Sequence, residues 1–177
     1  MLSSISDLPL EDISIEESES LSYIREEEKL ARDVYIVLFQ KWNMRVFNNI
    51  SGSEQKHTSA IKLLLEKYTL EDPATEEIGL FTNPELQSLY NALISKGDSS
   101  LVQALLVGAA IEEIDIIDIQ DELDNVIDNQ DITIVYENLL SGSANHLRAF
   151  VRNLEMSGVD YTPQYLNEET YYHILSN

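Results

Sequence analysis

Five residues stand where a helical core stripe should be apolar: Glu28, Glu54, His57, Glu112 and His146. A lone ionised carboxylate in such a place costs several kcal/mol unless it is paired or bound to a cation. A polyvalent cation explains all five together, since carboxylate oxygens and neutral imidazole are ligands of iron, manganese and zinc. Glu54-Gln55-Lys56-His57 is an i, i+3 pair, which puts both side chains on one face of a helix. The competing explanation is a set of buried Glu–His ion pairs without metal. Glu26 and Glu27 compete with Glu28 for the inward position, and Glu113 competes with Glu112.

Steps of three and four residues give the stripes that must carry these groups. They run from Leu21 to Trp42, from Ile50 to Tyr68, from Val102 to Val126 and from Ile132 to Leu154. Ser18 or Ser20 is expected to cap the first helix, Asp98 or Ser99 the third, and Asp131 the fourth. Asn83-Pro84 opens a short helix over Glu85–Ser95 that Gly97 closes, and Asn167 starts a last short helix. No stretch alternates long enough to be a strand, so the fold class is all-α.

Connections of about three to six residues make helices one and two, and helices three and four, antiparallel hairpins. About thirty residues join the hairpins, enough to run the length of a bundle. In this register Glu112 and His146 sit at one level. Glu28 and the Glu54/His57 pair are offset by about four residues, roughly 6 Å. Tyr35 and Tyr136 lie on the stripes as packing aromatics or electron relays. Arg32 and Arg148 are expected in surface ion pairs, and His173 is expected to be an ordinary surface or packing histidine.

The 177 residues include 32 acids, 11 bases and no cysteine, with a net charge of −21. That length suits one domain. The lack of cysteine removes disulfides, thiolate metal sites, Fe–S clusters and cysteine nucleophiles. The charge argues against nucleic acid and anionic membrane surfaces as partners. With no basic-then-apolar leader and no apolar run of spanning length, the expected location is cytoplasmic. Residues 1–18 read as a loose acidic arm, and 19–177 as the bundle with its C-terminal short helix.

The segments EEEKLARDVY, SEQKH, GAAIEEIDIID, GSANHLRAF and VDYTPQYL together resemble the ferritin-like superfamily, whose di-iron members include rubrerythrins and bacterioferritins. They also resemble a bacterial and archaeal ferritin-like domain family without assigned function. The resemblance spans about residues 20–175 and implies a ferritin-like four-helix bundle of two antiparallel hairpins, with one long crossover and short extra helices. It implies one or two iron ions (manganese or zinc as alternatives) held by Glu28, bridging Glu54, terminal His57, Glu112 and His146. The implied activity is di-iron oxidoreduction of ferroxidase or peroxidase type, with dioxygen or peroxide as oxidant. An unidentified electron donor and a homodimer complete the expected partners. The chain departs from the family pattern at Ser143, where a bridging Glu belongs three residues before His146. Either Asp115 swings in as the substitute, or Ser143 leaves a position for water, or a single metal binds tightly.

Overall fold

A computed structural model describes residues 8–176, and its regular structure among them is six α-helices. They are α1 (Ile15–Trp42), α2 (Arg45–Lys67), α3 (Pro84–Gly97), α4 (Leu101–Asn125), α5 (Gln130–Met156) and α6 (Glu168–Ser176). The four long helices form the bundle: α1 packs on α2 and α4, and α5 packs on α4 and α2. Two antiparallel hairpins, α1–α2 and α4–α5, are joined by one long crossover that contains α3. None of the described helices is long and apolar enough to cross a membrane.

Helix ends differ from expectation where tertiary contacts choose the cap. Ser14, not Ser18 or Ser20, caps α1 in a capping box with Glu17. Glu17 also accepts the backbone N–H groups of Asp128 and Asn129 in the α4–α5 turn, which fixes the helix start one turn early. Residues 15–18 of the expected arm are therefore helical, and residues 1–7 lie outside the described residues. Between them the chain is tied down, because Lys67 Nζ donates to the carbonyls of Leu8 and Pro9. Ser100 caps α4 in place of Asp98 or Ser99. Asn129 precedes α5, while Asp131 is buried and accepts Lys67 Nζ at 2.6 Å and the Tyr68 hydroxyl at 2.8 Å. Asn83 caps α3 as expected, and Asn167 Oδ1 accepts the Thr170 N–H in the first turn of α6.

The α1–α2 connection is shorter than expected: Asn43 and Met44 alone, with Asn43 in the left-handed conformation (φ 49°) that ends a helix tightly. The shorter turn reduces the expected offset between Glu28 and α2. His57, the later member of its pair, is the α2 histidine that reaches Glu28.

The run Glu26-Glu27-Glu28-Lys29 is buried along its whole length, although one of its acids was a candidate for mere exposure. Successive residues turn by about 100° on a helix of 3.6 residues per turn, so the first and last of the four share a face and meet the crossover. Glu26 accepts the N–H groups of Thr82 and Asn83, which holds the crossover where α3 starts. Lys29 donates to Asp33 at 2.7 Å and to the carbonyls of Glu77 and Leu80, with the Phe81 ring 4.3 Å away. Glu27 and Glu28 are left to face the interior of the bundle.

The apolar core falls into two parts. One gathers Leu30, Val34, Tyr35, Phe47, Leu105, Ala109, Leu147 and Phe150. The other gathers Leu21, Ile24, Ile61, Leu64, Ile119, Ile132, Tyr136 and Leu139. In sequence the expected polar positions fall between the two on three long helices, Glu28 on α1, Glu54/His57 on α2 and His146 on α5, while Glu112 on α4 lies between Ile111 and Ile116 of the first part.

Glu113, the competitor of Glu112, faces the C-terminal segment. It accepts the Tyr161 hydroxyl at 2.5 Å and the N–H groups of Gln164, Tyr165 and Leu166. Removing it strands three N–H donors. Glu113→Ala is expected to lower stability by about 3 kcal/mol, read as a lower urea midpoint. Amide exchange would also quicken over residues 161–176.

Candidate metal centre

Each bundle helix brings its group inward because apolar residues one turn on either side are locked in the core. On α1, Ile24 and Ala31 flank Glu28; on α5, Leu139 and Phe150 bracket Ser143 and His146. The four helices bring together Glu28, Glu54, His57, Glu112 and His146. They form two triads whose ligand atoms lie within 4.8 Å of one another: Glu28/Glu54/His57 and Glu54/Glu112/His146. Glu54 belongs to both.

His57 Nδ1 lies 2.7 Å from one Glu54 oxygen and 3.2 Å from Glu28 Oε2. His146 Nδ1 lies 2.7 Å from the other Glu54 oxygen and 3.4 Å from Glu112 Oε2. The two imidazole rings stack with centroids 5.5 Å apart. The carboxylates are sealed, but the His57 and His146 side chains are 13% and 10% exposed, so the centre meets solvent along its histidine edge between α2 and α5.

Short N···O distances here are not all hydrogen bonds. Both Glu54 oxygens, Glu28 Oε1, Glu112 Oε2 and His146 Nδ1 have no directional hydrogen-bond partner among the described residues. Such buried atoms ordinarily find one. The lone pairs converge on shared points, and oxygen plus imidazole nitrogen at these separations is a donor set that iron, manganese or zinc accepts. The residues therefore fit a metal ion.

Three further residues shape the centre. The Tyr35 hydroxyl donates to Glu112 Oε1 at 2.6 Å and fixes that carboxylate. Tyr136, the other stripe tyrosine, is turned to Ser20 at 2.9 Å. Gly142 was not singled out from the sequence. A Cβ there would meet His57 Cε1 at 2.5 Å, so glycine on α5 makes room for the imidazole from α2. A small residue next to a departure such as Ser143 was the available signal. Ser143 itself is buried and donates to the Leu139 carbonyl at 3.2 Å, which adds no charge.

Asp115 is buried as well but lies outside both triads, and its Oδ2 lacks a partner. Glu27, which sequence reading treated only as a rival to Glu28, is a buried acid of the same region. Burial, then the charge of Glu27, pushes Asp115 well above the usual carboxylate range; burial, then Asp118, does the same to Glu27. Of the remaining expectations, Arg32 does pair with a carboxylate, that of Asp33 at 2.7 Å. Arg148 has no carboxylate partner among the described residues: it donates to the Ile174 carbonyl and Asn145 Oδ1, acceptors that α6 and its own helix present. His173 is exposed on α6.

Burial pushes the Glu28 carboxyl up to about 8, with His57 opposing and Glu54 adding to the shift. Burial also raises Glu112, against the pull of His146. Burial opposes charge on both histidines, yet Glu28 and Glu54 raise His57 to about 11, and Glu112 and Glu54 raise His146 to about 10. Glu54 is held down to about 2, against its own burial, by His146 and His57.

An all-helical domain with two Glu/His triads around one shared carboxylate is the class that fold and site define. The chain belongs to the family described as an uncharacterized protein domain, DUF2202, which matches residues 17–177. It is similar to the uncharacterized protein MJ0754 of Methanocaldococcus jannaschii, 53% identical over 178 residues, covering 100% of this chain and 96% of that protein. The crystal structure titled hypothetical protein MJ0754 from Methanococcus jannaschii DSM 2661 matches with a TM-score of 0.93 at 53% identity. That match covers 96% of this chain and 97% of the other.

A group whose native pKa is raised favours folding most below its unfolded value, and that advantage is lost as pH rises through the native one. For His57 and His146 the window runs from 6.5 to about 11 and about 10; for Glu28 it runs from 4.5 to about 8. Glu54 acts only in acid. The metal-free protein is therefore expected to melt several degrees lower at pH 9 than at pH 6.5. Metal should add more stability at the higher pH, because deprotonated ligands bind better. Calorimetry with chelator or metal checks both. Tyr35→Phe, which frees Glu112, should weaken metal binding by about 10–100-fold, measured by competition with a chromogenic chelator.

Proposed function

We propose that the chain is a ferritin-like iron protein that passes electrons from a reduced centre to dioxygen or peroxide. The observation that carries this reading is Glu54. One buried carboxylate, with each oxygen 2.7 Å from a different histidine, is shared by two triads that each hold a further carboxylate. That is the shape expected of a bridge between two cations, and carboxylate-rich donor sets suit iron or manganese. The ion, when bound, supplies the one-electron chemistry that side chains lack.

The remaining steps belong to the chain. Glu28 and Glu112 hold opposite sides of the centre, and Tyr35 fixes Glu112. Ser143 contributes no charge, so the α5 side is left open to a small oxidant. The two core parts exclude bulk water above and below, while the histidine edge admits small molecules. Asp115 is close enough in the fold to feel Glu112 and is the reserve carboxylate of this reading.

Metal analysis of protein from iron-supplemented cells is expected to give about one to two iron ions per chain, and chelator should lower the melting temperature. Anaerobic ferrous loading followed by oxygen or peroxide should produce ferric absorbance faster than in buffer. Glu54→Gln should abolish loading at both triads, while His146→Ala should spare the Glu28/Glu54/His57 triad. Metal below about 0.2 per chain, with an unchanged melt in chelator, would leave a metal-free bundle held by Glu–His pairs.

A further inference from the structure

Of the eleven basic residues in this −21 chain, three line a single groove. The groove runs between the start of α2 and the end of α5 and has a volume of about 720 Å³. Arg45 stands on its α2 side, and Arg148 and Arg152 on its α5 side. Of the other eight bases, six (Arg25, Lys29, Arg32, Lys41, Lys62 and Lys67) lie within 4.0 Å of a carboxylate, and the remaining two, Lys56 and Lys96, stand apart from each other on α2 and α3. None of the three groove arginines has a carboxylate partner among the described residues. Arg148 gives its donors to the Ile174 carbonyl and Asn145 Oδ1, both neutral acceptors. The groove's one acidic lining residue is Glu155.

With 32 acids available, three guanidinium groups without carboxylate partners around one cleft define an anion site. Its walls are not polar throughout: Val46, Ile50 and Ala149 give it an apolar floor. A cavity of a few hundred cubic ångströms with apolar lining and a few converging polar groups suits a small molecule better than a protein surface. The direction matters as well. Ile50 is one turn before Glu54 on α2, and Asn145 precedes His146 on α5, so the groove runs along the two helices that carry the histidines of the centre. Arg45 lies nine residues before Glu54, about 13 Å along the helix.

We propose that this groove binds a small organic anion, with a phosphate or carboxylate head on Arg45 and Arg152 and an apolar body lying on Ile50 and Ala149 toward His146. The site stands whether or not the centre holds metal, so its failure and the failure of the iron reading are separable.

Nitrogen-15-labelled protein is titrated with phenyl phosphate, benzoate, phenol and inorganic phosphate, and amide shifts are followed. Phenyl phosphate or benzoate should saturably shift the amides of Asn49, Ile50 and Asn145 below about 10 mM; binding of either anion supports the site and identifies the head group it prefers. Phenol and inorganic phosphate should bind at least about tenfold more weakly. The double variant Arg45→Gln/Arg152→Gln, at two exposed positions, should keep its melting temperature and lose about tenfold or more in affinity. No saturable shift with either anion, equal binding in the double variant, or equal binding of phenol or inorganic phosphate would overturn the proposal.

Discussion

Two ionised carboxylates about 4 Å apart repel by roughly 4 kcal/mol even at an effective dielectric of about 20. The middle of this bundle buries Glu27, Glu28, Glu54, Glu112 and Asp115 and offers only His57 and His146 against them. The layer cannot hold all its negative charge unaided, and the groups around it respond. Glu54 keeps its charge because both imidazoles flank it, while Glu28, Glu27 and Asp115 are pushed to retain protons. A cation of charge two or three would replace those protons, which ties metal occupancy, protonation and stability into one equilibrium. The two apolar core parts supply the rigidity that keeps these groups together against their repulsion.

The two triads are not equivalent. Glu112 receives the Tyr35 hydroxyl, whereas no tyrosine serves Glu28 in the same way. His57 sits against the notch of Gly142, while His146 follows Ser143 on its own helix. Asp115 lies on α4, the helix of Glu112. A chain with this asymmetry is built to hold unlike positions, one better braced than the other. Ser143 is where the difference is most direct, since its hydroxyl is turned to the Leu139 carbonyl.

Much of this was legible in the sequence because a charged residue in an apolar stripe is a loud signal. The four stripes, the two hairpins, the crossover and the shared level of Glu112 and His146 follow from spacing, whereas spacing alone leaves Glu28 offset from Glu54 and His57 and the short α1–α2 turn brings them together. Most of what escaped has one cause. Ser14 and Asn129 as helix starts depend on contacts between distant segments, as Glu17 shows when it reaches the α4–α5 turn, whereas Ser100 caps α4 through a local bond from the Gln103 N–H. Gly142 is meaningful only once His57 is opposite it. Glu26, Glu27 and Glu113 read as rivals of Glu28 and Glu112 for the inward position, but Glu26 and Glu113 carry backbone N–H groups of loops packed against them, a pairing that no periodicity encodes. Arg148 likewise takes one acceptor, the Ile174 carbonyl, from α6, a contact that spacing does not encode.

The four-residue run from Glu26 to Lys29 has a consequence for how such chains can vary. Glu26 and Lys29 grip the crossover while Glu27 and Glu28 face inward, so the run works as a vernier that sets both the rotation and the height of α1. Loss or gain of one residue between Lys29 and Asn43 would swing every member by about 100° relative to the tight turn. Loop grips would then point into the interior and interior acids into loops. The span from Ser14 to the end of α2 can change letters but not count.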